Sequence, residues 1–340
     1  MGPAWFSGGP EGRIVCELCP HHCSLGDGAF GLCKVRGNSG GSPILPFAGR
    51  PSSIADDPIE KKPLYRFLPG SRVFSVGFFG CNMRCPFCQN WEISQRTVKN
   101  VPYVAPADLI DAALKSGSPS VAFTYSEPTV HFEYVLESSR LARKAGLRAI
   151  LVTNGLLNAG PAAELLEEID AVNLDIKCFS PSVYAKVLGG DLEVVLDFAR
   201  TAVRSSWLEV TTLVVPGLDE WEGAIARISS FLGELSPHIP LHLSAYHPAW
   251  KHDASPTSPG LLERLREIAS SRLESVYVGN VGGKSAVDRC HSCGAALVER
   301  SGYGIVKKNL ARNEDFTPPS STHAGARCAV CGHPEFFIID

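Results

Sequence analysis

The sequence predicts an α/β protein built on a partial (β/α)6 TIM-like barrel, with a small N-terminal four-cysteine module and a C-terminal zinc-ribbon-like domain. Between residues 71 and 288, short runs of β-branched and aromatic residues alternate with helical segments. Eleven of the 12 cysteines form three groups, which lie before, within and after this alternating region. The 340 residues are 44% hydrophobic and 20% charged, which provides for a folded core and excludes a disordered chain.

Residues 1–70 are predicted to form a small metal-binding module followed by an extended linker. The module contains four cysteines: Cys16, Cys19, Cys23 and Cys33. Four thiolates can hold either zinc or an auxiliary iron–sulfur cluster, and the spacing does not distinguish the two, although zinc is the first expectation. His21 and His22 are further potential ligands, although polar loop residues are the preferred interpretation. The linker, GSPILPFAGRPSSIADDPIEKKPLYRFLPG, is interrupted by prolines and has no sustained helical or strand period.

Residues 71–288 are predicted to form the barrel. Seven runs read as strands: VFSVGFF, SVAFTY, LRAILVT, AVNLDIK, WLEVTTLVV, IPLHLSAY and SVYVGN. The helices between them carry start and stop signals, such as Pro106 and Gly117 at the two ends of one helix. Strands joined through helices pair in parallel. Six or seven such units are too few for a complete eightfold barrel, so an open partial barrel is favoured over a doubly wound sheet.

Residues 289–340 are predicted to form a separate small domain. Two C-x-x-C-G motifs, Cys290/Cys293 and Cys328/Cys331, flank a strand-like LVERSGYGIV and a loop, TPPSSTHAGA. Paired C-x-x-C motifs are typical of structural zinc sites, and a single rubredoxin-type iron is the alternative.

Charge and cysteine content restrict the classes of partner. With 32 basic and 35 acidic residues and a net charge of −3, the chain has no cationic field of the kind that nucleic-acid binding needs. No export signal or membrane span is recognised, so a membrane partner is not expected and the protein is predicted to be cytoplasmic. In a reducing compartment, closely spaced cysteines are metal ligands rather than disulfides.

The middle cysteine group directly follows the first barrel strand. Cys81, Cys85 and Cys88 have the spacing C-x3-C-x2-C. In parallel βα folds, chemistry is found at the carboxyl ends of the strands, where this loop lies. Three thiolates can hold three irons of a [4Fe–4S] cluster and leave the fourth iron open to another ligand. On spacing alone, a zinc site with a distant fourth ligand, or three metal-free buried cysteines, are the alternatives.

The segment GFFGCNMRCPFCQNW resembles the cluster loop of radical S-adenosylmethionine (SAM) enzymes, with Phe87 as the aromatic residue before the third cysteine. Together with CELCPHHC, DPIEKKPLYRFLPG, FTYSEPTVHFEYV, VTNGL, LDIK and CHSCG, it resembles the AmmeMemoRadiSam-system radical SAM enzymes, relatives of pyruvate formate-lyase activating enzymes. The resemblance implies reductive cleavage of SAM at a [4Fe–4S] cluster to a 5′-deoxyadenosyl radical. That radical would abstract hydrogen from an unidentified small-molecule or protein substrate, and a reductant such as ferredoxin or flavodoxin would supply the electron.

The resemblance also implies SAM-binding residues at the ends of later strands. Besides Phe87, these are Glu127 and Pro128 after the second strand, Thr153 and Asn154 after the third, Asp175 and Lys177 after the fourth, and His247 after the sixth. Both glycines of the family's Gly-Gly-Glu-Pro motif are missing before Glu127. No catalytic side chain is assigned, and Cys178 is interpreted as a small buried residue.

Two alternatives to this function remain open from sequence. The first is a glycyl-radical enzyme activating enzyme, whose substrate would be a backbone glycine of another protein. The second is a non-catalytic zinc-binding interaction protein, in which all three cysteine groups are structural. Metal analysis distinguishes an iron–sulfur enzyme from a zinc protein.

Overall fold

The computed structural model describes residues 2–97, 100–282, 285–315 and 325–339. The N-terminal region forms two small antiparallel sheets. The first contains β1 (Phe6–Gly8), β2 (Ile14–Cys16) and β3 (Ser24–Leu25), and the second contains β4 (Gly37–Ser39) and β5 (Ser42–Ile44). Cys16 is the last residue of β2, and the other three N-terminal cysteines lie in the connections.

An eight-stranded sheet forms the centre of the molecule. Its strands are β6 (Ser53–Pro58), β7 (Arg72–Gly77), β8 (Ser120–Thr124), β9 (Arg148–Thr153), β10 (Ala171–Asp175), β11 (Trp207–Val214), β12 (Leu241–Ala245) and β13 (Val276–Gly279). The seven strands from β7 to β13 are the seven predicted ones, and all of them pair in parallel. β6 lies in the predicted linker, where no strand was expected, and pairs antiparallel with β7.

Helices connect the parallel strands. They are α1 (Trp91–Ser94), α2 (Pro106–Ser116), α3 (Phe132–Lys144), α4 (Ala159–Leu166), α5 (Pro181–Val183), α6 (Leu192–Ser205), α7 (Trp221–Leu235) and α8 (Pro259–Ala269). Short 3-10 turns at Ile59–Lys61 and Pro128–His131 and a π-helical turn at Tyr184–Leu188 add to them. As predicted, Pro106 begins α2, and Gly117 caps its end in a left-handed conformation with φ 74°.

Strand order identifies the sheet as open and singly wound. The order in space from β6 to β13 is the order in sequence, with β6 and β13 at the two edges. Right-handed crossovers in one direction place all helices on one face, whereas a doubly wound sheet reverses its strand order. The arrangement fits the predicted partial barrel.

The C-terminal residues form two three-stranded antiparallel sheets. The first contains β14 (Ser285–Arg289), β15 (Ala296–Ser301) and β16 (Gly304–Lys308), and the second β17 (Leu310–Asn313), β18 (Gly325–Cys328) and β19 (Pro334–Ile338). The strand-like LVERSGYGIV forms the β15–β16 hairpin. The predicted loop TPPSSTHAGA lies outside the described residues except for Gly325 and Ala326, which begin β18.

These C-terminal sheets pack against the amino end of the barrel. Ile338 of β19 exchanges backbone hydrogen bonds of 2.9 Å with the segment that precedes β7. Arg300 donates to Asp288 at 2.6 Å, and Arg66 donates to the same carboxylate at 3.2 Å. This contact lies opposite the carboxyl ends of the strands, where chemistry is expected. The domain boundaries at residues 70 and 288 remain predictions. In the part of the chain that the structure describes, no helix is both long and apolar enough to cross a membrane.

Candidate functional site

Three cysteines follow the carboxyl end of β7 and line one cavity of about 540 Å³ with their side chains. They are the predicted Cys81, Cys85 and Cys88. Gly80 precedes them with φ +83°, and a Cβ atom there would lie 2.4 Å from the Cys33 carbonyl oxygen. A side chain at residue 80 would therefore push the loop away from the N-terminal module.

The donor set of the cavity fits an iron–sulfur cluster with one open iron. Three of the described residues that line it carry thiols, and none of the others is a cysteine or a histidine. Burial raises the pKa of the Cys81 thiol, and it raises that of Cys85 to about 11, so neither thiol ionises readily by itself. Coordination to a metal deprotonates a thiol, which would relieve this cost.

Glu127 is buried beside the loop that carries Cys81, Cys85 and Cys88, which we call the cluster loop, and it joins two strand ends. Its Oε1 accepts hydrogen bonds from the Thr153 hydroxyl at 2.6 Å and from the backbone and hydroxyl of Thr129 at 3.1 and 2.8 Å. Its Oε2 accepts one, from the Asn154 backbone at 2.8 Å. Burial raises the pKa of Glu127, although these donors oppose that shift. Oε2 retains a lone pair for one further donor.

Asn154 connects the end of β9 to the cluster loop. Its side-chain amide donates to the Asn82 side chain at 3.0 Å and lies 3.6 Å from the Cys81 sulfur. Its side-chain oxygen accepts from the Leu156 backbone at 2.8 Å. Hydrogen bonds to cysteine sulfurs tune the reduction potential of a cluster, so this amide belongs to the site.

Asp175 and Lys177 bring opposite charges to the same cavity from the end of β10. The Lys177 ammonium lies 3.2 Å from the Asp175 carboxylate. Burial lowers the pKa of Lys177, but Asp175 and the Cys85 thiol raise it by more, so the ammonium stays charged. A fixed positive charge beside Cys85 favours an anionic cluster or a carboxylate ligand.

Most of the predicted site residues meet in this cavity, and two do not. Its lining contains Phe87, Glu127, Thr153, Asn154, Asp175 and Lys177. Pro128 is buried at the start of a 3-10 turn and does not line the cavity. His247 is exposed, and its Nε2 pairs with the Asn280 carbonyl at 3.1 Å. Cys178 is fully buried away from the cavity, as expected.

Sequence reasoning missed a buried charged group in the cavity lining. Lys62 is buried, donates to Asp57 at 2.7 Å and lies over the ring of Tyr125 at 4.3 Å. The Tyr125 hydroxyl donates to the same carboxylate. Hydrogen bonds from Lys61, Lys62 and Tyr125 outweigh burial and lower the pKa of Asp57. The signal was the acid and lysine pair in DPIEKKP, which lies in the segment predicted to be a linker.

A second cavity of about 580 Å³ lies between the N-terminal module and the cluster loop. We call it the basic cavity because its described lining has four cations, no acid and two stacked tryptophans: Lys34, Arg84, Arg96, Lys251, Trp91 and Trp250. The two indole rings lie 6.2 Å apart and 5° from parallel. Arg96 and Lys251 each lie 4.5 Å from the centre of an indole ring.

The C-terminal cysteines form a compact group. Cys290 and Cys331 have their sulfurs 3.6 Å apart, and those of Cys293 and Cys328 are 3.8 Å apart. Within the described ranges, this is the only set of three or more Cys, His, Asp or Glu side chains with all ligand atoms within 4.8 Å of one another. Four thiolates about 2.3 Å from one tetrahedral ion are about 3.8 Å apart, so the group fits a single metal ion.

Comparison with known proteins agrees with the chemistry of the cavity that Cys81, Cys85 and Cys88 line, which we call the main cavity. A family model described as the Radical SAM superfamily matches residues 76–227. "Uncharacterized protein MJ0808" of Methanocaldococcus jannaschii is 38% identical over 329 residues, which are 95% of this chain and 95% of that protein. The pyruvate formate-lyase 1-activating enzyme of Escherichia coli K12 is 26% identical over 193 residues, 54% of this chain and 77% of that enzyme.

Two solved structures align with parts of this chain at TM-scores below 0.5. A domain of the pyruvate-formate lyase-activating enzyme from Bacteroides vulgatus aligns with a TM-score of 0.41 and 18% identity, over 47% of this chain and 99% of that one. SuiB of Streptococcus suis aligns with a TM-score of 0.48 and 16% identity, over 64% of this chain and 49% of that one. From the family model and the sequence relatives, the chain belongs to the radical SAM superfamily and is an enzyme related to pyruvate formate-lyase activating enzymes.

Proposed function

We propose that this enzyme holds a [4Fe–4S] cluster through Cys81, Cys85 and Cys88 and uses it to cleave SAM reductively. The observation that carries the proposal is the cavity with three thiols and no fourth cysteine among its described residues, at the carboxyl end of the first parallel strand. When bound, the cluster and SAM supply one electron and a 5′-deoxyadenosyl radical for hydrogen abstraction from a substrate. The chain's own residues bind and orient the cluster and SAM, and they exclude water from the site.

The polar residues of the cavity that the sequence predicted each have a role in this proposal. Glu127 Oε2, with its spare lone pair, accepts from the SAM amino group. Lys177 attracts the SAM carboxylate, and Asp175 accepts from a ribose hydroxyl. Thr153 and Asn154 fix the positions of Glu127 and the cluster loop through hydrogen bonds. Phe87 supplies an apolar wall that keeps water from the reacting atoms.

The test is anaerobic reconstitution with iron and sulfide, followed by reduction in the presence of SAM. The wild type should form 5′-deoxyadenosine. Alanine at Cys81, Cys85 or Cys88 should abolish product and remove about four irons per chain. Cys178→Ala is the matched control, because that thiol is buried outside the cavity. Product formation that survives any of the three cavity substitutions would refute the proposal.

The substrate of the radical is not identified. A backbone glycine of another protein is the alternative substrate, which the likeness to pyruvate formate-lyase activating enzymes supports. The motifs noted above support membership of the AmmeMemoRadiSam subgroup. Incubation with a candidate protein and detection of a glycyl radical by electron paramagnetic resonance tests the former. The non-catalytic zinc-binding alternative is set aside, because the chain belongs to an enzyme superfamily.

At the C-terminus, Cys290, Cys293, Cys328 and Cys331 hold structural zinc in this proposal. The sulfur separations of 3.6 and 3.8 Å support a single tetrahedral ion. Zinc and iron analysis distinguishes this from a rubredoxin-type site. Cys331→Ala should lose one zinc per chain and no iron, and loss of one iron instead would favour the rubredoxin type.

The basic cavity is the docking site for the reductant, an acidic one-electron donor of the ferredoxin or flavodoxin kind. Charge complementarity supports this, because four cations and no acids line its described part. Arg84 belongs both to this lining and to the loop that carries Cys81 and Cys85. A donor bound there would lie beside the cluster loop.

A further inference from the structure

The four N-terminal cysteines converge on one small cavity. Cys16, Cys19, Cys23 and Cys33 all line it, and none of them is in a disulfide. A backbone hydrogen bond of 3.0 Å from Cys16 to Cys23 holds the two sides of the site together. Three of the four thiols are buried.

Sulfur spacing separates this group from the C-terminal one. Every sulfur of the C-terminal group lies within 4.8 Å of the others, as one ion requires. Among the described residues, no three N-terminal ligand atoms meet that limit, and neither do those of the cluster loop. In a multi-iron cluster each thiolate binds a different iron, so the thiolates stand further apart than around a single ion. The N-terminal group resembles the cluster loop in this respect.

Arg36 gives a second, independent indication of a ligand. Its side chain is 1% exposed and lines the same cavity. Both terminal nitrogens of the guanidinium donate to Glu133, at 2.8 and 3.0 Å. Its buried Nε has no hydrogen-bond partner within the usual distance, and the guanidinium interacts electrostatically with the Cys16 side chain. A buried donor beside thiolates is satisfied when an inorganic sulfide or a cluster-bound sulfur accepts from it.

The N-terminal cavity also abuts the cluster loop. His21, which lies between Cys19 and Cys23, pairs through Nε2 with the carbonyl of Asn82 at 2.7 Å. Gly80, which precedes Cys81 in the sequence, lies close to the Cys33 carbonyl. Both neighbours of Cys81 in the sequence therefore contact residues that are beside or within the N-terminal group.

We propose that Cys16, Cys19, Cys23 and Cys33 bind a [4Fe–4S] cluster of their own, which passes single electrons to the site at the end of β7. All four irons have protein ligands, so this cluster has no open position for SAM. It gains one electron from an acidic donor protein and loses the same electron to the second cluster, and no bond or proton changes. Only the destination of the electron rests on the proposed function.

The decisive variant is the triple substitution of Cys81, Cys85 and Cys88 by Ala. After anaerobic reconstitution it should keep about four irons per chain. When it is reduced, its electron paramagnetic resonance spectrum should not change on addition of SAM. Absence of iron from this variant, or a site filled by zinc instead, would overturn the inference. The proposed function fails separately, if the wild type forms no 5′-deoxyadenosine.

Single substitutions test the ligands in the wild-type background. Cys19→Ala and Cys33→Ala should each remove about four of about eight irons per chain. His22→Ala is the matched control, because that side chain is exposed and pairs with Glu17 rather than lining the cavity. Loss of one zinc and no iron from the cysteine variants would refute the cluster. Arg36→Lys should shift the reduction potential of the signal that persists in the triple variant, and an unshifted potential would contradict a contact between Arg36 and the cluster.

Discussion

The two carboxylates of the main cavity differ in what they already bind. Glu127 is buried and accepts four hydrogen bonds from the protein. Asp175 is about one-third exposed and has the Lys177 ammonium as its partner. Substitution of Glu127 would therefore disrupt a buried hydrogen-bond network, and the resulting loss of stability could not be separated from a loss of SAM affinity. Asp175 is the better probe of ligand binding.

We expect Asp175→Asn to lower the affinity for SAM about ten- to a hundredfold, because loss of a charge-assisted hydrogen bond costs about 1.5–3 kcal/mol. Calorimetric titration of cluster-loaded protein under anaerobic conditions measures the affinity. Asp197→Asn, an exposed substitution on α6, is the control. An unchanged affinity in the folded, cluster-loaded variant would remove Asp175 from the site.

His131 predicts a pH dependence of stability. It is buried, its Nε2–H donates to the Phe79 carbonyl at 2.7 Å, and burial lowers its pKa to about 4. An unfolded histidine has a pKa of about 6.5, so between these values the unfolded state binds more protons and stability falls as pH falls. We expect a loss of about 1 kcal/mol from pH 7 to 5.5. Urea unfolding should show this loss in the wild type and not in His131→Gln; equal losses would contradict it.

At the scale of secondary structure, local sequence signals identify the parallel strands but not β6. Buried parallel strands are continuous apolar runs, and these runs stand out between helix start and stop signals. The β6 segment, SIADDP, has two aspartates and a proline, which are rare in strands, and it pairs only as an edge strand. Its assignment needs the tertiary partner β7.

The two aspartates of β6 predict a contrast in stability. Asp57 pairs with Lys62, which is 1% exposed, whereas Asp56 forms an exposed pair with Arg72. Asp57→Asn leaves a buried ammonium without its counter-ion, which costs about 3–5 kcal/mol. Asp56→Asn should cost less than about 1 kcal/mol. Urea unfolding of both variants measures the difference, and similar losses would show that the Asp57 pair contributes no more than a surface pair.

At the scale of the whole molecule, the three cysteine groups occupy two ends of the barrel. The N-terminal group lies against the cluster loop through His21 and Asn82, whereas the C-terminal residues pack on the amino end through Arg300 and Ile338. Motif spacing predicts the number of thiols in each group. It does not predict their separation in space, because the N-terminal placement depends on contacts across the fold, such as that between Gly80 and Cys33.

This arrangement also brings the basic cavity next to two of the groups, since its lining runs from Phe30 to Lys34 and on to Arg84 and Pro86. Cys33 lies within the first of these segments, and Cys85 lies between the last two residues. A protein docked in the cavity would therefore face both the N-terminal group and the cluster loop. Its surface should be acidic, because opposite charges speed association over distances set by the salt concentration.

Charge reversal in the basic cavity should slow the protein donor and spare a small one. Arg96→Glu with Lys251→Glu should lower the rate of reduction by flavodoxin or ferredoxin about tenfold or more at low salt. The difference should shrink near 0.1 M salt, where the screening length is about 10 Å. A neutral photoreduced deazaflavin should reduce the variant and the wild type equally, and Arg264→Glu, an exposed change on α8, is the matched control. If the variant accepts electrons from the protein donor at the wild-type rate at low salt, the donor docks elsewhere. A loss of rate that salt does not relieve would indicate a change of shape at the stacked tryptophans rather than a loss of charge attraction.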